Sequence, residues 1–312
     1  MNKRIIINFI GKIILIEVML MILPLLVSLI YGDGDTRGFL YTMIPAGIIG
    51  FALMKVKQKQ GRMSSRDGYF IVAAAWIIIS LIGAMPLYIN GGFPTYWNAL
   101  FEIVSGFTTT GASILVKPEE LGHGVLFWRS FTHWIGGMGV LVFVLMVMPM
   151  ENDNSMHLVR AEVPGPTAGK LVPRMRTTSM ILYGIYTTMT LLLIFLLVCF
   201  GMPLFDSFCL AFGTAGTGGF AVSSAGVAGY GSLAIEVVLG IFMLLFGINF
   251  SVYHLIMLRK FKEAFCMEEV KVYLSIVFLS TLAIMFNIAK MAGGFGHALR
   301  QSFFQVASII TT

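Results

Sequence analysis

The chain has 312 residues, 57% of them hydrophobic and only 12% charged, with 21 Lys and Arg against 15 Asp and Glu. A soluble domain carries about 25% charged residues, so this composition excludes an ordinary globular domain and indicates an integral membrane protein. The net charge of +6 is not a nucleic-acid signature, because the basic residues sit in loops between apolar stretches.

Seven spanning helices are predicted, at 5–30, 38–54, 69–90, 125–149, 178–201, 233–258 and 271–292. Each is long enough to cross about 30 Å of hydrocarbon at about 1.5 Å per residue. No cleavable leader is predicted, since no small-residue cleavage site follows the long first apolar stretch. The connecting segments alternate in charge. One set holds Lys3 and Arg4, the run from Lys55 to Arg66, then Arg160, Lys170, Arg174 and Arg176, and finally Arg259, Lys260, Lys262 and Lys271. The other holds only Arg37, Lys117, Arg129, Lys290 and Arg300. Positive charge accumulates on the cytoplasmic side of such proteins, which predicts a cytoplasmic N-terminus. The basic loop 55–66 is an anchor of this kind, with lipid headgroup contact secondary.

An internal repeat lies on the outer side. "NALFEIVSGFTTTG" runs from Asn98 to Gly111, "DSFCLAFGTAGTGG" from Asp206 to Gly219, and "QSFFQVASIITT" from Gln301 to Thr312. In the first two, a polar residue followed by a small one precedes a glycine by thirteen positions. The third begins the same way. The unit reads as helix, short half-helix, polar loop, helix, and such repetition outranks any local motif as fold evidence. Irregular backbone at membrane depth is tolerated only where it is buried in protein or lines a watery cavity. A helix of about ten residues spans roughly 15 Å, half the bilayer. Entering from outside, it ends near the midplane with its carbonyl end favouring a cation. The Thr/Gly loop that follows has the makings of one side of a selectivity filter, where backbone carbonyls replace an ion's hydration shell.

Other features read more plainly. Cys199, Cys209 and Cys266 have no metal-ligand spacing and are packing residues. His123, His133, His157, His254 and His297 are scattered, so no transition-metal or haem site is predicted. "WIGGMG" (Trp134–Gly139) lacks a following Lys-Ser/Thr and reads as close helix packing rather than a phosphate loop. "GTAGTGG" likewise has no strand before it and no lysine after it. Pro164, Gly165 and Pro166 fit a cytoplasmic turn. Glu102 lies inside the first half-helix, where a buried acid is expensive. It is expected to hold the filter backbone by hydrogen bonds or to pair with Arg129, the alternative being a partly hydrated structural acid.

Four segments carry a family resemblance: "SRDGYFIVAAAWIIISLIGAMPLYI" (Ser65–Ile89), "FWRSFTHWIGGMGVLVFVLMVMP" (Phe127–Pro149), "VRAEVPGPTAGKLVPR" (Val159–Arg174) and "LAFGTAGTGGFAV" (Leu210–Val222). In this order they resemble the TrkH/TrkG/KtrB family of potassium uptake subunits, and its TrkH branch most closely. The resemblance implies an all-α polytopic membrane protein with four pore repeats around one pore, as in K⁺ channels, after two extra N-terminal helices. Here 1–64 would hold those two helices, 65–158 the first repeat, 159–263 the second, and 264–312 the first half of a third. On this reading the sequence is a C-terminally truncated piece of a longer chain, and the family's gate lies beyond it. Thr108, Thr109, Thr110, Gly111 and Ala112 match the first filter loop. Thr217, Gly218, Gly219 and Phe220 match the second, and Thr311 and Thr312 open the third. The thirteen-residue spacing selects Gly219 as the second filter glycine, with Gly218 the alternative. The resemblance implies K⁺ as the transported ion, held by backbone carbonyls, and no cofactor in this chain. It further implies a homodimer in the cell membrane, a cytosolic nucleotide-binding regulatory subunit of the TrkA type, contact with membrane lipid, and a regulatory contact at the Pro164–Pro166 turn. It involves no nucleic acid.

Three function classes compete. A carrier with broken helices at the midplane would place its site at interrupted spanning helices, often in inverted topology. Here the repeats share one orientation and the interruptions are separate half-helices, which favours a pore; a Na⁺/K⁺-permeable relative is its nearest variant. An intramembrane enzyme would need a convergent nucleophile–base or metal set, and the sequence contains none.

Overall fold

The computed structural model describes residues 3–56, 65–139 and 175–311. Among them every regular element is helical. Helices α1 (Lys3–Leu20) and α2 (Ile22–Tyr31) form one 29-residue apolar stretch. Pro24 falls in the first turn of α2, where its missing N–H has no intrahelical partner to lose. Gly32 ends α2 in the left-handed region (φ 72°) and donates its N–H to the Ser28 carbonyl. Next come α3 (Thr36–Met54), α4 (Ser65–Ile89), the short α5 (Tyr96–Phe107) and α6 (His123–Gly137). They are followed by α7 (Met175–Cys199), the short α8 (Leu204–Ala215), α9 (Leu233–Gly247), α10 (Phe250–Met257) and α11 (Phe261–Cys266). The last two helices are α12 (Glu268–Ile288) and α13 (Phe295–Ile310).

Five stretches of the described residues are long and apolar enough to cross a membrane: 3–31, 36–54, 66–89, 179–199 and 268–288. They coincide with five of the seven predicted spans. The predicted span 233–258 is different. It breaks into α9 and α10, which meet at 90°. Its composition is apolar throughout, but Ile248 is extended (ψ 140°) and the Asn249 side chain accepts a hydrogen bond from Ser251 N at 3.0 Å. Asparagine at an N-cap starts a new helix rather than continuing an old one. Of the predicted span 125–149, α6 covers the first part; 140–149 lie outside the described residues, as do the Pro164–Pro166 turn, His157 and Thr312.

Packing follows the repeat. The half-helix α5 is enclosed by α4 and α6, and α8 by α7 and α9. The two later half-helices also lean on the preceding unit: α8 packs on α6, and α13 on α9 as well as α12. The N-terminal helix α1 lies against α3 and α4, outside this arc. One apolar core runs from Ile13 and Phe39 through Ile79 and Ile103 to Trp128 and Phe131; a second joins Tyr186, Leu193, Leu239 and Phe246. Ridges of α6 thus serve both half-helices, and the two loops that follow them converge on its C-terminal end.

Candidate ion-conducting site

The two half-helices are the same object twice. Tyr96 corresponds to Leu204 and Phe107 to Ala215, a constant offset of 108 residues. The loops after them repeat the same hydrogen bonds. Thr108 N donates to Val104 O (2.9 Å), Thr109 N to Gly106 O (3.0 Å) and Thr110 N to Ser105 O (2.9 Å). At the same offset Gly216 N donates to Phe212 O (3.0 Å), Thr217 N to Thr214 O (3.1 Å) and Gly218 N to Gly213 O (3.0 Å). Backbone handedness repeats as well: φ is 55° at Thr109 and 73° at Gly111, 58° at Thr217 and 84° at Gly219. This pairs Gly219, not Gly218, with Gly111. A left-handed threonine costs about 1–2 kcal/mol, so two at equivalent positions mark a conformation that the surroundings impose.

The loops meet. A Cβ on Gly111 would fall on the Gly218 carbonyl oxygen, so only glycine fits at the contact. Thr108 turns its hydroxyl back to Val104 O (2.7 Å) and to Thr110 Oγ1 (2.9 Å). Thr311, at the end of α13, makes the equivalent bond to Ala307 O (2.9 Å). Ala112 is exposed on the first loop, whereas Phe220 is buried.

Behind both loops sits one buried ion pair. Arg129 Nε donates to Glu102 Oε1 at 2.6 Å, with the side chains 2% and 0% exposed. Glu102 also accepts from Ser113 Oγ (2.7 Å) and from Ile114 N (3.1 Å), pinning the return of the first loop. Arg129 reaches the other way: Nη1 donates to Ala221 O (3.0 Å) and the guanidinium lies 3.7 Å from the Phe220 ring centroid. Its Nη2 donates to Ser113 Oγ at 3.1 Å. Of the sequence expectations for Glu102, the pairing with Arg129 is present, and its one backbone contact is to Ile114, just beyond the expected filter residues 108–112. The glycines of "WIGGMG" let α6 approach the half-helix ends: a Cβ on Gly136 would meet Phe107 O, and one on Gly137 would lie 2.7 Å from Gly216 Cα.

Three groups of residues that the sequence reading did not single out complete the arrangement. Ser113 joins Glu102 to Arg129. Glu119 accepts from Ser224 Oγ (2.7 Å) and Ser224 N (3.0 Å), tying together the segments that follow the two loops. Its own backbone N–H, then the Ser224 donors, hold its carboxyl below the usual range. Arg300 on α13 forms a two-pronged pair with Glu236 on α9, both bonds 2.5 Å, the fork geometry that suits arginine. Only Glu236, an acid inside an apolar run, carried a sequence signal; nothing local links residues 64 or 105 positions apart. At the N-terminal end of α6, Asp33 accepts from His123 N (2.8 Å) and lies 2.6 Å from its Nδ1. Among the described residues no group of His, Cys, Asp and Glu could hold a metal ion.

The sequence profile of the cation transport protein family TrkH matches residues 36–312. The chain belongs to this family. It is 35% identical to the Trk system potassium uptake protein TrkH of Salmonella typhimurium, over 100% of this chain and 66% of the relative. It is 32% identical to the Trk system potassium uptake protein TrkG of Escherichia coli K12, over 99% and 65%. The crystal structure of the potassium transporter TrkH from Vibrio parahaemolyticus superposes with a TM-score of 0.84 at 27% identity, covering 99% of this chain and 64% of that one. The chain therefore spans just under two-thirds of the length of the relatives it matches. Family membership and the apolar helices make it a helical, multi-pass membrane protein.

Proposed function

We propose that this chain supplies the ion path of a Trk-type potassium uptake system. The observation that carries the reading is the meeting of two half-helix–loop units of one backbone conformation, with Gly111 set against the Gly218 carbonyl. Carbonyls of Thr108–Ala112 and of Thr217–Phe220 replace the hydration shell of K⁺, and Thr311 with Thr312 opens a third loop. The carbonyl ends of α5 and α8 add partial negative charge beneath them. Glu102 and Arg129 hold the loops at a fixed spacing and touch no ion. The relatives are named as potassium uptake proteins, which supports K⁺ as the cargo. By the same reasoning the protein works as a homodimer in the cell membrane with its N-terminus in the cytoplasm, regulated by a cytosolic nucleotide-binding subunit of the TrkA type. The work is transport, with no catalytic group.

The test is Gly111→Asp in the full-length gene, in a host lacking other potassium uptake. The added carboxylate projects into the second loop and puts a fixed charge in the path. Growth at low potassium is expected to stop, while Thr109→Ser, which keeps the hydroxyl, stays close to the parent. A well-expressed Gly111→Asp protein with normal growth and normal K⁺-over-Na⁺ discrimination would show that Gly111 lines no ion path.

A further inference from the structure

His133 lies on α6, one turn after Arg129, and is fully buried. Neither ring nitrogen has a hydrogen-bond partner of ordinary geometry among the described residues, although the Ser105 backbone lies near; it is the bulk of the ring that the second loop meets. That bulk stands at a particular place. A Cβ on Gly218 would fall within the His133 imidazole, and a Cβ on Gly216 would meet the His133 carbonyl. The ring also packs on Phe220, centroids 4.0 Å apart, while the Arg129 guanidinium covers Phe220 at 3.7 Å. Gly218 is thus held between two walls. On one side is the imidazole; on the other its carbonyl oxygen is directed at Gly111 of the first loop.

We infer that His133 is a specificity-determining positioning residue: its ring is the wedge that sets how far the second loop projects toward the first, and hence the spacing of the carbonyls between them. This rests on the pore reading above. Protein interiors are close-packed, so a wedge removed from behind a loop lets the loop recede into the space. A wider ring fits K⁺ less well and loses its advantage over a smaller ion whose hydration is harder to replace. The geometry also explains why Gly218 is glycine although its φ is ordinary: the limit there is the histidine, not the backbone.

The experiment compares rubidium and sodium uptake by the full-length protein in proteoliposomes. His133→Ala is expected to lower the Rb⁺/Na⁺ uptake ratio roughly tenfold, equivalent to about 1.4 kcal/mol of relative fit. His133→Phe, a flat ring that still fills the space, is expected to retain most of the parent ratio, which separates bulk from hydrogen bonding. Gly218→Ala drives a methyl into the imidazole and should abolish selective uptake; adding His133→Ala to it should restore a measurable part. A parental ratio in His133→Ala, or no rescue in the double variant, overturns the wedge. If in the same assay Gly111→Asp transports normally, it is the pore reading that fails, and the wedge with it. Thermal stability in detergent is measured in parallel, so that a ratio change in a protein melting like the parent is read as positioning and not as unfolding.

Discussion

Neutralising Glu102 should cripple the protein, and the structure indicates by how much. Glu102→Gln keeps the shape of the side chain but removes the charge that faces Arg129, whose own side chain is only 2% exposed. Three donors converge on the carboxylate: Arg129 Nε at 2.6 Å, Ser113 Oγ at 2.7 Å and Ile114 N at 3.1 Å. An amide presents one oxygen and one NH₂ group, so at least one of these donors would meet another donor. Breaking a buried pair by removing one partner costs about 3–5 kcal/mol, because the remaining charge is left uncompensated. A domain's whole stability is about 5–15 kcal/mol, so the loss is a large fraction of it. The assay is thermal stability of the purified protein in detergent together with growth at low potassium. The control is Glu120→Gln, which removes the exposed pair with Lys117 (2.8 Å, 62% and 67% exposed) and should leave the melting temperature close to the parent's. Arg129→Met alone should be as damaging as Glu102→Gln. The double variant should be less destabilised than the sum of the two, since it leaves no lone charge. If Glu102→Gln melts like Glu120→Gln, or if the two single effects simply add, the pair does not carry the two loops.

Two other outcomes follow from the Asp33 and Asp35 carboxylates and from the topology. Asp33 is held below its ordinary 3.8, first by the His123 backbone N–H, so its contribution is complete above that value and is lost as pH falls through the lowered one. Asp35 is shifted the opposite way, chiefly by burial, so its ionisation opposes folding as pH rises past 3.8. Asp33→Asn should therefore lower thermal stability at neutral pH and Asp35→Asn should leave it equal or higher; as pH falls the Asp35 difference fades once pH is below 3.8, and the Asp33 difference fades only below that, through its lowered folded value; shifts of one sign would contradict this. For orientation, cysteines at the exposed Lys117 and Lys262, in a Cys199→Ser, Cys266→Ser background, should react with an impermeant thiol reagent from opposite sides of the membrane, Lys117→Cys from outside. Lys117→Cys reacting only from the cytoplasmic side would invert the placement of the filter loops, and labelling of both from one side would refute the alternation itself.

Much of this protein was legible from its sequence because the deciding information is local. A spanning helix needs a continuous apolar run, and five of the seven predicted runs are such helices. The half-helices announced themselves by a repeated register, since the same thirteen-residue spacing recurs at Gly111 and Gly219. Where a single residue had to override composition, the sequence misled: Asn249 caps a new helix inside an apolar stretch, and 233–258 bends by 90°. The choice between Gly218 and Gly219 also had to await φ, because two adjacent glycines have no chemical difference in sequence, only in conformation. What the tertiary structure alone decided is everything that joins one repeat to the next. Gly111 against Gly218, Arg129 on Ala221 O, Glu119 on Ser224 and His133 behind Gly218 bring together residues 85 to 107 positions apart. Helical periodicity relates a residue to those three or four places away. Contacts between repeats depend instead on how half-helices lean on the return helix of the unit before, and that is set by packing volumes over the whole core.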